Sequence, residues 1–365
     1  MDDTADNRVH ADDHAEKSSE GHDATTATVR IQVASDLHLE LRDAQAAQRI
    51  DDIIAPTGAS VLALVGDIGS PVEPSYATFI AAAAARYAHV LVIAGNHEYY
   101  GGSAPDAPTM ADLAAAMRET CAAHANVHFL DDDAIVLDGV RYVGSTLWSF
   151  VPEAFRRRCT KDMNDYHLIR VAGRAPDAQP KRRASRWTVI DTYADGEDDC
   201  RWRGGDDGDD DDSVNGRRSS PPTLSNGDGL LTVDDTNALH AAAVDFLNEQ
   251  IAEAAAAPED CRQPVVVLTH HAPSFKSIHR RYATSLLTCA FVTDLERLMR
   301  PPVALWLHGH THTASDYEVE TCSADGATHT VRVVNNPMGY RQERAYSGYV
   351  KDKVVEVVVP RHHRA

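Results

Sequence analysis

The chain has 365 residues, an apolar content that is ordinary for a soluble protein, and a formal net charge of −20. Residues 1–29 hold eight acids and two bases and residues 191–212 hold eleven acids and two bases, so these two segments account for −15 of the charge. The remainder is only mildly acidic and has no basic stripe, which argues against a nucleic-acid partner. The length suits one large domain with insertions or two domains.

No targeting or membrane segment is visible in the sequence. The N-terminus is acidic and lacks an apolar core, which fits neither a secretory signal nor a transit peptide. The longest apolar run, Phe79–Ala85, is too short to span a bilayer. The six cysteines form no CxxC pair, which favours free thiols in a reducing compartment. We therefore expect a soluble cytoplasmic protein without a membrane partner, and its oligomeric state stays open.

The first half of the chain has an α/β pattern. Residues 1–29 are polar and have no apolar period, which predicts a disordered acidic tail. From Arg30 to Gly144 strands alternate with Ala-rich helices, which are predicted at Glu73–Ala88 and Thr109–His124. The strands are continuous apolar runs, and such runs are typical of parallel strands that are covered on both faces.

Three shorter β-prone runs follow Asn126, at Val127–Leu130, Ala134–Leu137 and Arg141–Gly144. The dipeptide Asp138-Gly139 between the last two is a strong hairpin signal. These features predict that a second sheet begins in this region.

Residues 172–229 interrupt the pattern with basic, then Asp- and Gly-rich, then Ser- and Pro-rich sequence. A structureless loop of this length is unusual inside a domain. We interpret it as a low-complexity, disordered insertion that divides one folded domain into residues 30–171 and 230–365. The Asp run at 206–212 could bind cations loosely, but like-charge repulsion in a solvated linker also explains it.

Regular patterns return after the insertion. A helix is predicted at Asp234–Ala256, where apolar residues recur at helical spacing after an N-cap at Thr232 or Asp234. A strand at Val265–Thr269, a helix near Phe291–Met299 and a strand at Val303–Leu307 follow. Two further short β-like runs lie at Val331–Val334 and Val354–Val359.

Five of the apolar runs end in a polar motif. The motifs are Asp36-Leu37-His38, Gly66-Asp67, Gly95-Asn96-His97-Glu98, His270-His271 and His308-Gly309-His310-Thr311-His312. Asp, Asn and His are metal-ligand types, and the carboxyl ends of parallel strands are where ligands bind in open α/β sheets. One such motif alone is compatible with an ordinary polar loop. Five in order at strand ends indicate one polynuclear site.

The ordered set DLHLE, GD, GNHE, THH and GHTH resembles the calcineurin-like metallophosphoesterase superfamily. The resemblance covers Arg30–Gly144 and Val265–Asn336. The segments Met163–Tyr166 and Asn335–Tyr340 are also similar to small bacterial-type members. The resemblance implies an α/β fold, a four-layer αββα sandwich of two mixed β-sheets flanked by helices.

The resemblance also implies two divalent metal ions that share one carboxylate. The first would be held by Asp36, His38, Asp67 and His312, and the second by Asp67, Asn96, His270 and His310. Mixed nitrogen and oxygen ligation suits Mn, Fe, Zn or Co without choosing among them. His271 and His308 are expected to pack beside the site, and Glu98 is expected to be structural.

The implied reaction is hydrolysis of a phosphomonoester or a phosphodiester by in-line attack of a metal-bridging hydroxide. His97 would face the leaving group, as general acid or as a cation that stabilises developing charge. The expected partner is therefore a phosphorylated small-molecule substrate.

The sequence departs from the protein Ser/Thr phosphatases of this superfamily, which carry an Asp-Arg pair after GD and an Arg before GNHE. Here Gly69-Ser70-Pro71 follow Asp67, and Ala94-Gly95 precede Asn96. The phosphate-clamping arginines and the Asp that orients the catalytic His are missing at these positions, which disfavours phosphoprotein substrates. Three residues elsewhere are candidate replacements, namely Arg341, Arg156 and Asn164.

Two other interpretations stay open. A catalytically weak or inactive member of the superfamily could serve as a binding or scaffold protein, although such chains typically lose ligands or the His of GNHE, and this chain keeps both. Alternatively, the acidic tail and the insertion could form an interaction arm on an enzymatic core.

Overall fold

The computed structural model describes residues 26–42, 49–171, 229–322 and 326–360. The first strand begins at Thr26, so residues 26–29 belong to a sheet and the predicted tail ends four residues too late. The rest of that tail and residues 172–228 of the predicted insertion lie outside the described residues. At the edge of the insertion, the backbone N–H of Val171 donates to the carbonyl of Gly229.

The described residues form eleven strands and six α-helices. The strands are β1 (Thr26–Ala34), β2 (Val61–Val65), β3 (His89–Ile93), β4 (Val127–Phe129), β5 (Asp133–Leu137), β6 (Val140–Ser145), β7 (Val265–Thr269), β8 (Val303–His308), β9 (Ser315–Cys322), β10 (Thr328–Asn335) and β11 (Val354–Pro360). The helices are α1 (Ile50–Ile53), α2 (Pro74–Ala84), α3 (Met110–Ala122), α4 (Arg156–Asp162), α5 (Asp165–Leu168) and α6 (Val233–Ala256).

The strands build two mixed sheets. The first has the order β11-β1-β2-β3-β4, in which β1 to β4 are parallel and β11 is antiparallel to β1. The second has the order β5-β6-β7-β8-β10-β9, with antiparallel strands β5 and β9 at its edges. Because β4 pairs with β3, the second sheet begins at β5 and not at Val127 as predicted.

Alternate side chains of the central strands supply two different cores. In β2, Val61, Ala63 and Val65 pack between the sheets, whereas Leu62 and Leu64 face the helices of the first sheet. In β7, Val266 and Leu268 join the inter-sheet core, and the other face packs with residues of α6. Continuous apolar strands are thus covered on both faces. The predicted four-layer αββα sandwich is confirmed.

Two local sequence signals, a hairpin turn and a helix N-cap, predicted the backbone correctly. Asp138 and Gly139 both have positive φ, 51° and 79°, as a two-residue type I′ hairpin turn between β5 and β6 requires. The side chain of Thr232 accepts from the N–H of Asp235 and caps α6.

The helix predicted near Phe291–Met299 is wrong. The region holds only single 3₁₀ turns at Thr288–Ala290 and Glu296–Leu298. Its backbone groups bind the segment after β7 instead: the N–H of Thr293 donates to Ala272 and that of Leu295 to Pro273. These long-range hydrogen bonds replace the helical ones that the apolar period suggested.

No helix in residues 26–42, 49–171, 229–322 or 326–360 is long and apolar enough to cross a membrane. Five cysteines fall within these ranges, and all five are free thiols. They are Cys121, Cys159, Cys261, Cys289 and Cys322.

Candidate metal centre

The five polar motifs lie at the carboxyl ends of β1, β2, β3, β7 and β8, where the two sheets meet. Backbone hydrogen bonds join their loops across strand boundaries. The N–H of Asp36 donates to Gly66 and that of His38 to Asp67, each at 3.0 Å, and the N–H of Gly309 donates to His270, also at 3.0 Å. The N–H of His310 also donates to the carboxylate of Asp36 and that of His97 to the carboxylate of Asp67, so the five loops form one connected rim.

Left-handed backbone is concentrated on this rim. Nine non-glycine residues among those described have positive φ, and five of them are predicted metal ligands: Asp36, His38, Asp67, His310 and His312. Each such residue costs on the order of 1–3 kcal/mol and persists only where its surroundings enforce it. Gly95 shows this tightness, because a Cβ there would lie 2.1 Å from the Oδ1 of Asp67.

The four residues predicted to hold the first metal ion lie together. They are Asp36, His38, Asp67 and His312, and each offers a ligand atom within 4.8 Å of the others. The Nε2 atoms of His38 and His312 are 3.2 Å apart, and the Nε2 of His312 is 3.2 Å from the Oδ1 of Asp36. Ring nitrogens and carboxylate oxygens therefore point at one common point.

A second group shares Asp67 and contains His270 and His310, again with ligand atoms within 4.8 Å. The Nε2 of His270 lies 3.3 Å from the Oδ2 of Asp67. The Oδ1 of Asn96 and the Nε2 of His310 are buried and have no hydrogen-bond partner among the described residues. Because a buried acceptor without a partner is costly, these atoms fit a bound cation.

Side-chain atoms that face away from the cluster make hydrogen bonds that orient the possible ligands. The Nδ1 of His270 lies 2.9 Å from the carbonyl of Val65, and the Nδ1 of His312 lies 2.5 Å from Oε2 of Glu343. Asn96 donates from Nδ2 to the Oδ1 of Asp165, so its Oδ1 faces the centre. Such partners fix the ring or amide orientation that a metal site needs.

The site is electrostatically polarised. Burial acts to raise the pKa of Asp67, but His270 and His97 outweigh it and hold the pKa well below its usual range. Burial acts to lower the pKa of His312, but Asp36 and Glu343 raise it to about 10. Asp67 and Asp36 similarly raise the pKa of His270 to about 9, against burial. The chain alone therefore holds protons on two rings that face carboxylates.

Burial dominates at two other histidines of the cluster. It lowers the pKa of His310 and of His271 well below the usual range, so both rings are neutral near pH 7. His271 lies 2.9 Å from the hydroxyl of Ser149, and the Nε2 of His308 lies 2.8 Å from that of Ser277. These contacts give His271 and His308 hydrogen-bonding partners beside the cluster.

Glu98 clamps the loop that carries Asp67. Its buried carboxylate accepts four backbone N–H groups, from Gly95 at 2.7 Å, Asp67 at 2.9 Å, Ile68 at 2.6 Å and Gly69 at 3.3 Å. Burial and the neighbouring Asp67 raise the pKa of Glu98 to about 7, while two of these N–H donors, those of Gly95 and Asp67, act in the opposite direction. The sequence indicated a structural role, but not this binding geometry.

Glu40 is a site residue that the sequence reasoning missed. Its Oε1 lies 3.1 Å from the Nδ1 of His38 and 3.4 Å from the Nδ1 of His97. Burial acts to raise the pKa of Glu40, but these two rings lower it to about 2. The Nε2 of His97 in turn lies 2.9 Å from the hydroxyl of Tyr340. The Glu of DLHLE was the available signal.

A cavity of about 600 Å³ opens above the cluster and is lined by Asp67, Asn96, His97, His310 and His312, among other residues. Of the three candidate replacements for the missing arginines, only Asn164 lines it. Arg156 instead donates to the Oδ1 of Asp234 at 2.7 Å. Within the described residues, Arg341 is not part of the lining.

Two mixed sheets flanked by helices, with Asp and His side chains clustered at the strand ends, define a metallophosphoesterase-type protein. The chain belongs to the calcineurin-like phosphoesterase family, whose family model matches residues 29–314.

The individual relatives and solved structures that match have low sequence identity to this chain. The chain is 26% identical over 326 residues to an uncharacterized protein of Acanthamoeba polyphaga mimivirus, covering 86% of this chain and 92% of the relative. The phosphopantetheinyl hydrolase PptH of Mycobacterium tuberculosis aligns with a TM-score of 0.48 and 15% identity, over 91% of this chain and 96% of that one. A 5′-nucleotidase candidate from Staphylococcus aureus aligns with a TM-score of 0.37 and 12% identity, over 91% of this chain and 51% of that one.

The Glu98 clamp predicts a stability effect. Glu98→Gln leaves one oxygen to accept four N–H groups and turns an amide N–H₂ toward donors, so we expect a loss of about 2 kcal/mol in the free energy of unfolding. Urea unfolding of the metal-free protein measures this. Glu119→Gln, on the exposed face of α3, is the control and should change stability by less than about 0.5 kcal/mol. Equal effects of the two substitutions would contradict the clamp.

Proposed function

We propose that this protein is a dinuclear metal-dependent phosphoric ester hydrolase acting on phosphorylated small molecules. The observation that carries the proposal is the pair of ligand groups that share Asp67 at the floor of a cavity. In a family of phosphoesterases, two adjacent groups with one common carboxylate suit two cations in one site.

The residues divide by the ion that each would hold. Asp36, His38, Asp67 and His312 would hold the first, and Asp67, Asn96, His270 and His310 would hold the second. Two carboxylates and neutral imidazoles suit Mn, Fe, Zn or Co. Such ions, when bound, supply Lewis acidity that lowers the pKa of water and withdraws charge from phosphoryl oxygens.

His97 is proposed to protonate the leaving group. Its backbone N–H donates to the Oδ1 of Asp67 at 2.9 Å, which fixes His97 beside the carboxylate that both ions would share. Glu40 faces its Nδ1, so the carboxylate keeps a proton on that atom and leaves Nε2 to carry the transferable proton. Burial acts to lower the pKa of His97, but Asp67 and Glu40 raise it overall, which favours the protonated acid.

The first test is metal-dependent turnover. We expect hydrolysis of p-nitrophenyl phosphate or its bis-ester with Mn, Co, Zn or Fe. Asp67→Asn should reduce turnover by at least about 10³-fold and lower the bound metal measured by elemental analysis, because both ions lose a carboxylate. Asp106→Asn, at an exposed loop position, is the control. Full metal occupancy without hydrolysis of either ester would instead favour a binding or scaffold role.

Metal binding should release protons. His270 and His312 have pKa values of about 9 and about 10 in the metal-free chain, and each must be neutral to act as a ligand. We therefore expect at least about two protons released at pH 7.5 and an affinity that increases as the pH rises toward 9. Calorimetry in buffers of different ionisation enthalpy measures the count. His312→Asn should lower it by about one, and an unchanged count would contradict the role of His312.

The proton-transfer role predicts a dependence on the leaving group. His97→Ala should lower kcat by about 10²–10⁴-fold for esters with poor leaving groups and much less for p-nitrophenol, with normal metal content. Glu40→Gln should produce the same trend with a smaller loss, because Glu40 acts through His97. A uniform loss for all leaving groups, or a loss of metal, would argue that Glu40 only supports His38.

A further inference from the structure

The cavity above the candidate metal centre has an apolar and aromatic wall that the proposed chemistry does not use. The segment between β7 and β8 supplies most of it, and the wall contains Ile278, Tyr282, Leu287, Phe291, Leu41 and Met163. The Phe291 ring stacks on the ring of His310 with centroids 4.5 Å apart and an interplanar angle of 21°. The wall therefore begins directly beside a proposed metal ligand, within reach of any group bonded to phosphorus.

The same cavity is acidic. Its lining contains the carboxylates of Glu40, Asp67, Glu73, Asp162 and Glu343, and no Lys or Arg among the residues that the structure describes. Arg281 lies over the rings of Tyr282 and Tyr346, at 4.8 and 5.8 Å from their centroids, and is not part of the lining. The described lining therefore offers a phosphoryl group no fixed guanidinium or ammonium charge.

These two properties bear differently on the two classes of phosphoester. A phosphomonoester carries a charge of roughly −1.5 to −2 near pH 7. A phosphodiester carries a single negative charge, so the lining carboxylates repel it less. A diester also has a second organic arm, and a cavity of about 600 Å³ with an apolar wall can bury it.

We propose, on the basis of the proposed hydrolase function, that this cavity selects phosphodiesters with an uncharged apolar or aromatic arm over phosphomonoester dianions. The lining carboxylates, together with the lack of Lys and Arg in the described part of the lining, leave only the proposed metal ions and His97 to offset the second charge of the dianion. The wall from Ile278 to Phe291 binds the arm.

Calorimetric binding to the Mn²⁺-loaded full-length protein tests the selectivity apart from turnover. The probes are diphenyl phosphate, dimethyl phosphate and phenylphosphonate, which separate the effect of charge from that of the aromatic arm. We expect diphenyl phosphate to bind at least about tenfold more tightly than either of the others. Phenylphosphonate binding as tightly as diphenyl phosphate, or more tightly, would overturn the proposal.

Two pairs of variants assign the effect to the cavity. Ile278→Asn should weaken diphenyl phosphate by about tenfold and leave dimethyl phosphate unchanged, whereas the control Ile278→Val should alter neither by much. Ser70 also lines the cavity, so Ser70→Arg should strengthen phenylphosphonate by about tenfold relative to Ser70→Gln. If both pairs leave the order of affinities unchanged, the wall and the charge do not set the selectivity.

Measurements of turnover distinguish the proposed selectivity from the proposed hydrolase function. Selective binding of diphenyl phosphate without hydrolysis of any p-nitrophenyl ester would refute the hydrolase and support the selectivity. Efficient hydrolysis of p-nitrophenyl phosphate, together with tighter binding of phenylphosphonate, would support the hydrolase and overturn the selectivity.

Discussion

The four hydrogen bonds that the Glu98 carboxylate accepts are the constraint on which the rest of the site depends. They join the turn after β3 to the turn after β2. They thereby hold Asp67 where its Oδ1 faces the N–H of His97 and its Oδ2 faces the ring of His270. Asp67 is held there in the left-handed region, with φ of 55°. Without a buried acceptor, the N–H groups of this turn would be buried without partners. Asp67 would then not be held between the two candidate ligand groups.

The cluster concentrates interactions that are unfavourable for folding. Five proposed ligands have strained backbone, and buried carboxylates face protonated rings in a region that little water reaches. The inter-sheet core and the two helical layers stabilise the sandwich around it and maintain this arrangement. Strain and buried charge that gather at one rim, and not across the fold, are typical of a site under functional constraint.

The sequence predicted what depends on local periodicity and ordered motifs, and it missed what long-range contacts decide. Continuous apolar runs indicated parallel strands, and the motifs at their ends indicated one site. The apolar period near Phe291 also suggested a helix, but hydrogen bonds to Ala272 and Pro273 produced an irregular segment. No local pattern shows that Glu40 reaches His97 or that Asp165 orients Asn96, because residues far apart in sequence make these contacts.

The two departures from the phosphoprotein phosphatases have different structural outcomes. The Asp that would orient His97 is missing after GD, and Glu40 from the turn after β1 occupies the position beside Nδ1. A carboxylate from another strand end therefore supplies the same electrostatic contact. The phosphate-clamping arginines of those phosphatases have no such substitute in the described lining, where carboxylates and an apolar wall surround the proposed ions. The contact to the proposed acid is thus present while the described lining has no Lys or Arg, so binding specificity can change without any change in the proposed metal ligands.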